Sequence, residues 1–136
     1  MTAPLIIPAI LESNKVNFQK KIEIITSISR VQRIQVDFTE TDFVGTSTLS
    51  IEQIDQLDPR FYWEAHLMIR SPGKFELYKK AGFKTIIVHY EAYKNYTDLD
   101  AGLRELKRLE LDPVIAINPN SSVELLVDYQ TKVKQF

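Results

Sequence analysis

Ala65-His66-Leu67-Met68-Ile69-Arg70-Ser71-Pro72 is the stretch that decides the fold. It reads as a short strand of alternating side chains that runs straight into a proline. A serine followed by proline is a helix start, because proline at the first helical position gives up no needed donor. The joint therefore predicts a strand from Tyr62 to Ile69 and a helix opening at Ser71-Pro72. It also places His66, one of two histidines in the chain, on the strand.

The same joint recurs on both sides. Upstream, strands are expected from Leu5 to Leu11 and from Arg33 to Phe38. A helix between them, capped by Ser13 or Asn14, carries Val16, Ile22, Ile25 and Ile28 at helical spacing. Ser50 and Gln53 form a capping box for a short helix ending near Leu57, where Asp58-Pro59 breaks it. Downstream, Ala81-Gly82 ends the helix that follows the decisive strand. A strand from Thr85 to Tyr90 comes next. Thr97 caps a helix from Asp98 to about Leu109, with an acidic start and a basic end that suit the helix dipole. A strand from Pro113 to Asn118 follows. Ser121 and Glu124 then read as a second capping box, for a last helix running towards Lys134.

Alternating strands and helices imply an α/β fold with a parallel sheet and right-handed crossovers. The chain is expected to form a single domain over residues 1–136, with no linker or low-complexity tract. About five βα units fit either an open doubly wound sheet or part of a (βα)8 barrel. Alternation on the strands bears on that choice. Gln35 and Asp37 share a face opposite Ile34, Val36 and Phe38. Glu64, His66 and Met68 oppose Ala65, Leu67 and Ile69. Ile87, His89 and Glu91 oppose Ile86, Val88 and Tyr90. Parallel sheets in open folds are buried on both faces and read as almost continuously apolar. A second face with polar groups near the strand exits points to a barrel interior or a cleft, where such barrels place their chemistry. Each polar residue has a plainer reading as well. A single histidine is often structural, Asp37 can cap a loop, Met68 can be packing, and Glu64 and Glu91 can be solvated at strand ends.

Composition sets limits. The 136 residues are 44% hydrophobic and 26% charged, with a formal net charge of −1. That balance gives no broad attraction to nucleic acid or an anionic membrane. Lys79, Lys80, Lys107 and Arg108 read as solvated helix faces. The absence of cysteine rules out disulfides, thiolate nucleophiles and zinc–thiolate sites. The start, Met1 to Leu5, lacks the basic and apolar regions of a secretory signal. A cytoplasmic protein with no membrane role is the expectation.

These residues resemble the N-terminal part of the ribulose-phosphate 3-epimerase family, from Ile6 to about Leu126. The resemblance is carried by Ile7-Pro8-Ala9-Ile10-Leu11, Val36-Asp37 with Phe43-Val44, and His66-Leu67-Met68. Further along it is carried by Ala81-Gly82 with Val88-His89-Tyr90-Glu91-Ala92, and by Ile117-Asn118-Pro119. It implies a partial (βα)8 barrel of the TIM type, acting on a pentose phosphate. It also implies one divalent metal held by two histidines and two aspartates, with the aspartates as acid and base and the metal stabilising an enediolate. Carried over, Asp37 is a metal ligand and an acid/base, and His66 is a metal ligand. Met68, His89 and Asn118 line the substrate.

Two positions depart from the pattern. Gln35 stands where a ligating histidine is expected, and an amide is a poorer ligand for a transition metal. Ala9 stands where a serine would meet the substrate. The turn Asp37-Phe38-Thr39-Glu40-Thr41 lacks the family's glycine and methionine. The pattern's strands six to eight, with the second aspartate and the phosphate loops, have no counterpart here. These departures predict little or no epimerase activity in isolation and a metal held weakly or not at all. The alternatives are a non-catalytic sugar-phosphate binder or an assembly module. Exposed strand edges and apolar surface would favour a homo-oligomer.

Overall fold

The computed structural model describes residues 3–133. Five parallel strands form one sheet in chain order: β1 (Ala9–Ile10), β2 (Arg33–Thr39), β3 (Tyr62–Met68), β4 (Phe83–His89) and β5 (Asp112–Ala116). Between them lie α1 (Lys15–Thr26), α2 (Thr41–Val44), α3 (Phe75–Ala81) and α4 (Tyr96–Arg108). This is the expected α/β alternation, with each strand beside its sequence neighbour, as in the wall of a TIM-type barrel.

The helices cover one side only. Ile34, Val36, Phe38, Ala65, Leu67, Ile86, Val88 and Ile115 are buried. They join one apolar cluster with Phe18 of α1, Phe75 and Tyr78 of α3, and Leu99, Leu103 and Leu106 of α4. The i, i+4, i+7 spacing of the last three makes the buried stripe of α4. On the opposite side Gln35, Asp37, His66, Met68 and Ile87 stay half-buried. That inner face is the one that strand alternation separated from the core.

β4 carries one irregularity. Trp63 pairs with Phe83 and Glu64 with Thr85, so Lys84 is an extra residue. Strict alternation would put Phe83 and Thr85 on one face. The bulge instead lets Phe83 join the helix-side core, while the Thr85 hydroxyl meets the Tyr62 hydroxyl at 2.8 Å.

Several boundaries differ from expectation. β1 has two residues rather than seven, with Leu5 and Ile6 exposed. Pro8 accepts from the Gln35 N–H but has no N–H of its own, which cuts the ladder there. In α1 the cap is Asn14, whose Oδ1 accepts from the Asn17 N–H at 3.0 Å. Its buried residue is Phe18, whereas Val16 is exposed and Ile28 lies beyond the helix. The Ser50–Gln53 capping box is present, but it starts only a 3-10 turn over Ile51–Gln53.

α3 begins at Phe75, not at Ser71-Pro72. The Ser71 N–H is tied to the Ala92 carbonyl at 2.9 Å. Ser71 and Lys74 both adopt left-handed backbone, with φ of 44° and 54°, which no helix can pass through. Gly82, at φ 114°, ends the helix as expected. α4 is capped by Asn95, whose Oδ1 accepts from the Asp98 N–H at 2.9 Å, not by Thr97. The last expected helix is a 3-10 segment, Val123–Tyr129, capped by Ser122 rather than Ser121. Lys134 lies outside the described residues.

Candidate functional site

β2 and β3 pair in register, so Asp37 stands beside His66 and Gln35 beside Glu64. β4 pairs with β5 so that His89 stands beside Ala116, and Asn118 continues the same face two residues later. The strand exits thus bring Asp37, His66, Met68, His89 and Asn118 to one side of the sheet.

Four of these form a continuous polar chain. The Gln35 amide donates to Asp37 Oδ1 at 2.8 Å. Asp37 Oδ1 lies 3.3 Å from His66 Nδ1. His66 Nε2 faces His89 Nε2 at 2.8 Å, and His89 Nδ1 faces Asn118 Oδ1 at 2.9 Å. The imidazole planes are inclined by 11° with centroids 5.0 Å apart. That separation is about the N–N distance plus two ring radii, so the rings meet end to end, not face to face. Two bare lone pairs would repel at this distance, so a proton lies between the two nitrogens. An Asn118 oxygen opposite His89 Nδ1 places a second proton there. Which of the two Nε2 atoms carries the shared proton follows from the tautomers of the two rings.

Burial, with the adjacent His66, holds the His89 imidazole below its ordinary pKa, against the pull of Asn118 and Glu91. Phe43 of α2 packs its ring edge-on to His89 at 5.3 Å.

Sequence reasoning missed part of this wall. Strand alternation put Glu91 on the polar face, with solvation at the strand end as its plainer reading, and named no partner for it. It is half-buried, accepts from the Asn118 N–H at 2.8 Å and takes a short hydrogen bond from the Ser121 hydroxyl. Burial pushes the Glu91 carboxyl up. The hydrogen bonds from Ser121, Asn118 and its own backbone outweigh that, aided by His89, and leave it below the usual glutamate value. Glu64 had the same two readings. It is 3% exposed and pairs with Arg33, whose guanidinium lies over the Tyr62 ring. No strand-period signal distinguishes a solvated carboxylate from one paired inside the face.

Ala9 pairs with Gln35 at the β1 edge and presents no hydroxyl. Met68 stands beside Thr39 on the upper part of the inner face.

The donor set does not close a shell for a divalent metal. Among the described residues no group of three or more His, Asp, Glu or Cys side chains is disposed to hold one. Asp37 and His66 are adjacent, but both His66 nitrogens face protein partners. The Gln35 amide occupies the Asp37 oxygen where a third donor would compete. What the face offers chemically is a hydrogen-bonded imidazole pair with a carboxylate at each end, Asp37 3.3 Å from His66 and Glu91 3.7 Å from His89, able to bind hydroxyls and to hold or pass a proton. Among the described residues no helix is long and apolar enough to cross a membrane.

Comparison with known proteins agrees with this picture. The model of the ribulose-phosphate 3 epimerase family matches residues 5–135. A ribulose-phosphate 3-epimerase of Chlamydia muridarum is 32% identical over 97 residues, covering 68% of this chain and 41% of that protein. One from Chlamydia trachomatis serovar D is 26% identical over 99 residues, covering 71% of this chain and 41% of that protein. The chain thus spans about two fifths of the length of these curated relatives. A parallel βα sheet with a polar inner face and a family match over nearly the whole sequence lead to one conclusion: this chain belongs to the ribulose-phosphate 3-epimerase family.

Proposed function

We propose that this chain is a pentose-phosphate-binding member of its family with weak or no 3-epimerase activity in isolation, working in the cytoplasm. Asp37 is its proton carrier, and Met68, His89 and Asn118 line the sugar. The observation that carries this reading is the state of the two carboxylates on the imidazole pair: Glu91 is held by the Asn118 N–H and the Ser121 hydroxyl, which leaves Asp37 beside His66. Inverting a carbon centre removes a proton on one face and returns it on the other, which takes two opposed carriers. The described inner face offers Asp37 for one of them. A loosely ligated metal would also leave an enediolate without its main electrostatic stabilisation.

A coupled assay with ribulose 5-phosphate and added divalent metal tests this. Turnover is expected to be barely above background, and turnover in the ordinary enzyme range would overturn the reading. Calorimetry with ribulose 5-phosphate tests the binding half, and absence of heat would reduce the chain to a scaffold. Gln35→His bears on the same site. It adds an imidazole beside Asp37 and frees Asp37 Oδ1, so zinc affinity is expected to rise at least about tenfold.

A second reading, an assembly module, has its own support. β1 and β5 are the edges of the sheet. Ile6 beside the β1 edge is 80% exposed, and Val123 after β5 is 70% exposed. Unpaired edges with apolar neighbours favour association with a second copy.

A further inference from the structure

Arg70 lies just past the end of β3. Its main chain is fixed from both sides. Its own N–H donates to Glu40 Oε2 at 3.1 Å, and the next N–H, of Ser71, donates to the Ala92 carbonyl at 2.9 Å. Its side chain is fixed as well. Nη1 donates to the Glu91 carbonyl at 3.0 Å. The guanidinium carbon lies 5.1 Å from the centre of the Phe43 ring, within the range of a cation–π contact. That Phe43 ring also packs edge-on to His89 at 5.3 Å, and the Glu91 carboxylate lies 3.7 Å from His89. The guanidinium and the His89 imidazole therefore share two neighbours at the strand exits.

The charge of Arg70 is not neutralised there. Among the described residues no carboxylate forms an ion pair with its guanidinium. Glu40 meets the Arg70 main chain, and the Glu91 carboxylate takes the Asn118 N–H and the Ser121 hydroxyl. An exposed arginine is ordinary. This one is held at both backbone and side chain beside a polar face, with most of its N–H fork unpaired. Much of the ordering cost of binding an anion is thereby already met.

We infer that Arg70 binds the phosphate of a sugar phosphate whose sugar lies on the inner face. The inference rests on the proposed pentose-phosphate reading of that face and adds the group that recognises the phosphate. A planar guanidinium fork matches two phosphate oxygens at once. A brace that only ties the loop after β3 to Glu91 would use one N–H and need no ligand.

Titration with ribulose 5-phosphate, followed by NMR at the Arg70 Nε–H and at the histidine rings, separates the two roles. The Arg70 signal is assigned by its loss in Arg70→Gln. It is expected to shift and saturate in the unaltered protein. Arg70→Gln should weaken ribulose 5-phosphate at least about tenfold. Arg70→Lys, which keeps the charge without the fork, should weaken it less. Inorganic phosphate should move the same Arg70 signal with lower affinity. Histidine signals that respond while the Arg70 signal stays in place, or undiminished binding by Arg70→Gln, would overturn the role of Arg70 and leave the inner-face reading standing. Inorganic phosphate binding as tightly as the sugar phosphate would overturn the sugar-phosphate assignment. No saturable binding of ribulose 5-phosphate to the unaltered protein would overturn both. If Arg70→Gln does not fold, Arg70→Lys assigns the signal and the shift in the unaltered protein decides the matter.

Discussion

Glu64 shows what a single residue does on the inner face. Its carboxylate is 4% exposed at the side chain and Arg33 is 25% exposed. Arg33 Nε is already buried without a partner. Removing one member of a buried pair strands the other charge, which is costlier than removing both. Glu64→Ala is therefore expected to cost about 2–3 kcal/mol, the usual penalty reduced because Arg33 keeps some contact with solvent. Replacing both, Arg33→Met with Glu64→Leu, should recover most of that loss in urea unfolding. A double variant no better than the single would contradict this account.

Glu91 gives the pH dependence at this scale. Its carboxyl is held below the unfolded value, so the folded protein favours the ionised form. That contribution is present above the unfolded pKa and disappears as pH falls through the folded one. Melting temperature should fall as the solution is taken from pH 5 towards 3. Ser121→Ala removes one of the stabilising hydrogen bonds and should flatten the fall. An unchanged slope in that variant would discount the Ser121 bond.

At the scale of elements, α4 is held at both ends of its logic. Asn95 caps it, and Leu99, Leu103 and Leu106 anchor it. Gly102, in its interior, is the exception. Glycine inside a helix normally costs about 1 kcal/mol relative to alanine. Here a Cβ would stand 2.6 Å from the Tyr93 hydroxyl and 3.1 Å from the ring carbon that bears it. Gly102→Ala should therefore destabilise, by about 1–2 kcal/mol. The Tyr93 hydroxyl is buried without a partner, so Tyr93→Phe should be nearly neutral and should relieve part of the Gly102→Ala cost. Thermal denaturation of the two single variants and the double variant measures that coupling.

α3 shows the opposite relation between sequence and element. Ser71-Pro72 has the composition of a helix start, but a tertiary hydrogen bond to Ala92 and two left-handed residues delay the helix to Phe75. Capping statistics describe isolated helix ends, and a loop tied to another strand exit overrides them. The same holds for Ser121. Its hydroxyl serves Glu91, so Ser122 takes the cap.

At the scale of the molecule, one side of the sheet is sealed by helices and the other is half-open. β1 and β5 have no neighbouring strand on their outer sides among the described residues. A second copy covering these edges should give a mass in light scattering of at least two chains at micromolar concentration. Ile6→Lys should lower it by placing charge beside the β1 edge. A single-chain mass for the unaltered protein would remove the assembly reading and leave ligand binding by the inner face untouched.

The succession of strands and helices implied a parallel α/β sheet, and the alternation of Ile34, Val36 and Phe38 with Gln35 and Asp37, repeated on the next two strands, marked its polar face. Side-chain period in a strand is a local property, and the sequence carries it in full. The position of His66 and His89 on that face was legible for the same reason. Tertiary structure alone decided that the two imidazoles meet end to end, that Glu64 and Glu91 are partnered, and that Arg70 lies against Phe43 and the Glu91 carbonyl. Those outcomes depend on register between strands and on where loops cross, and hydrogen-bonding distance is set in three dimensions by residues that are 20 or more positions apart in the chain.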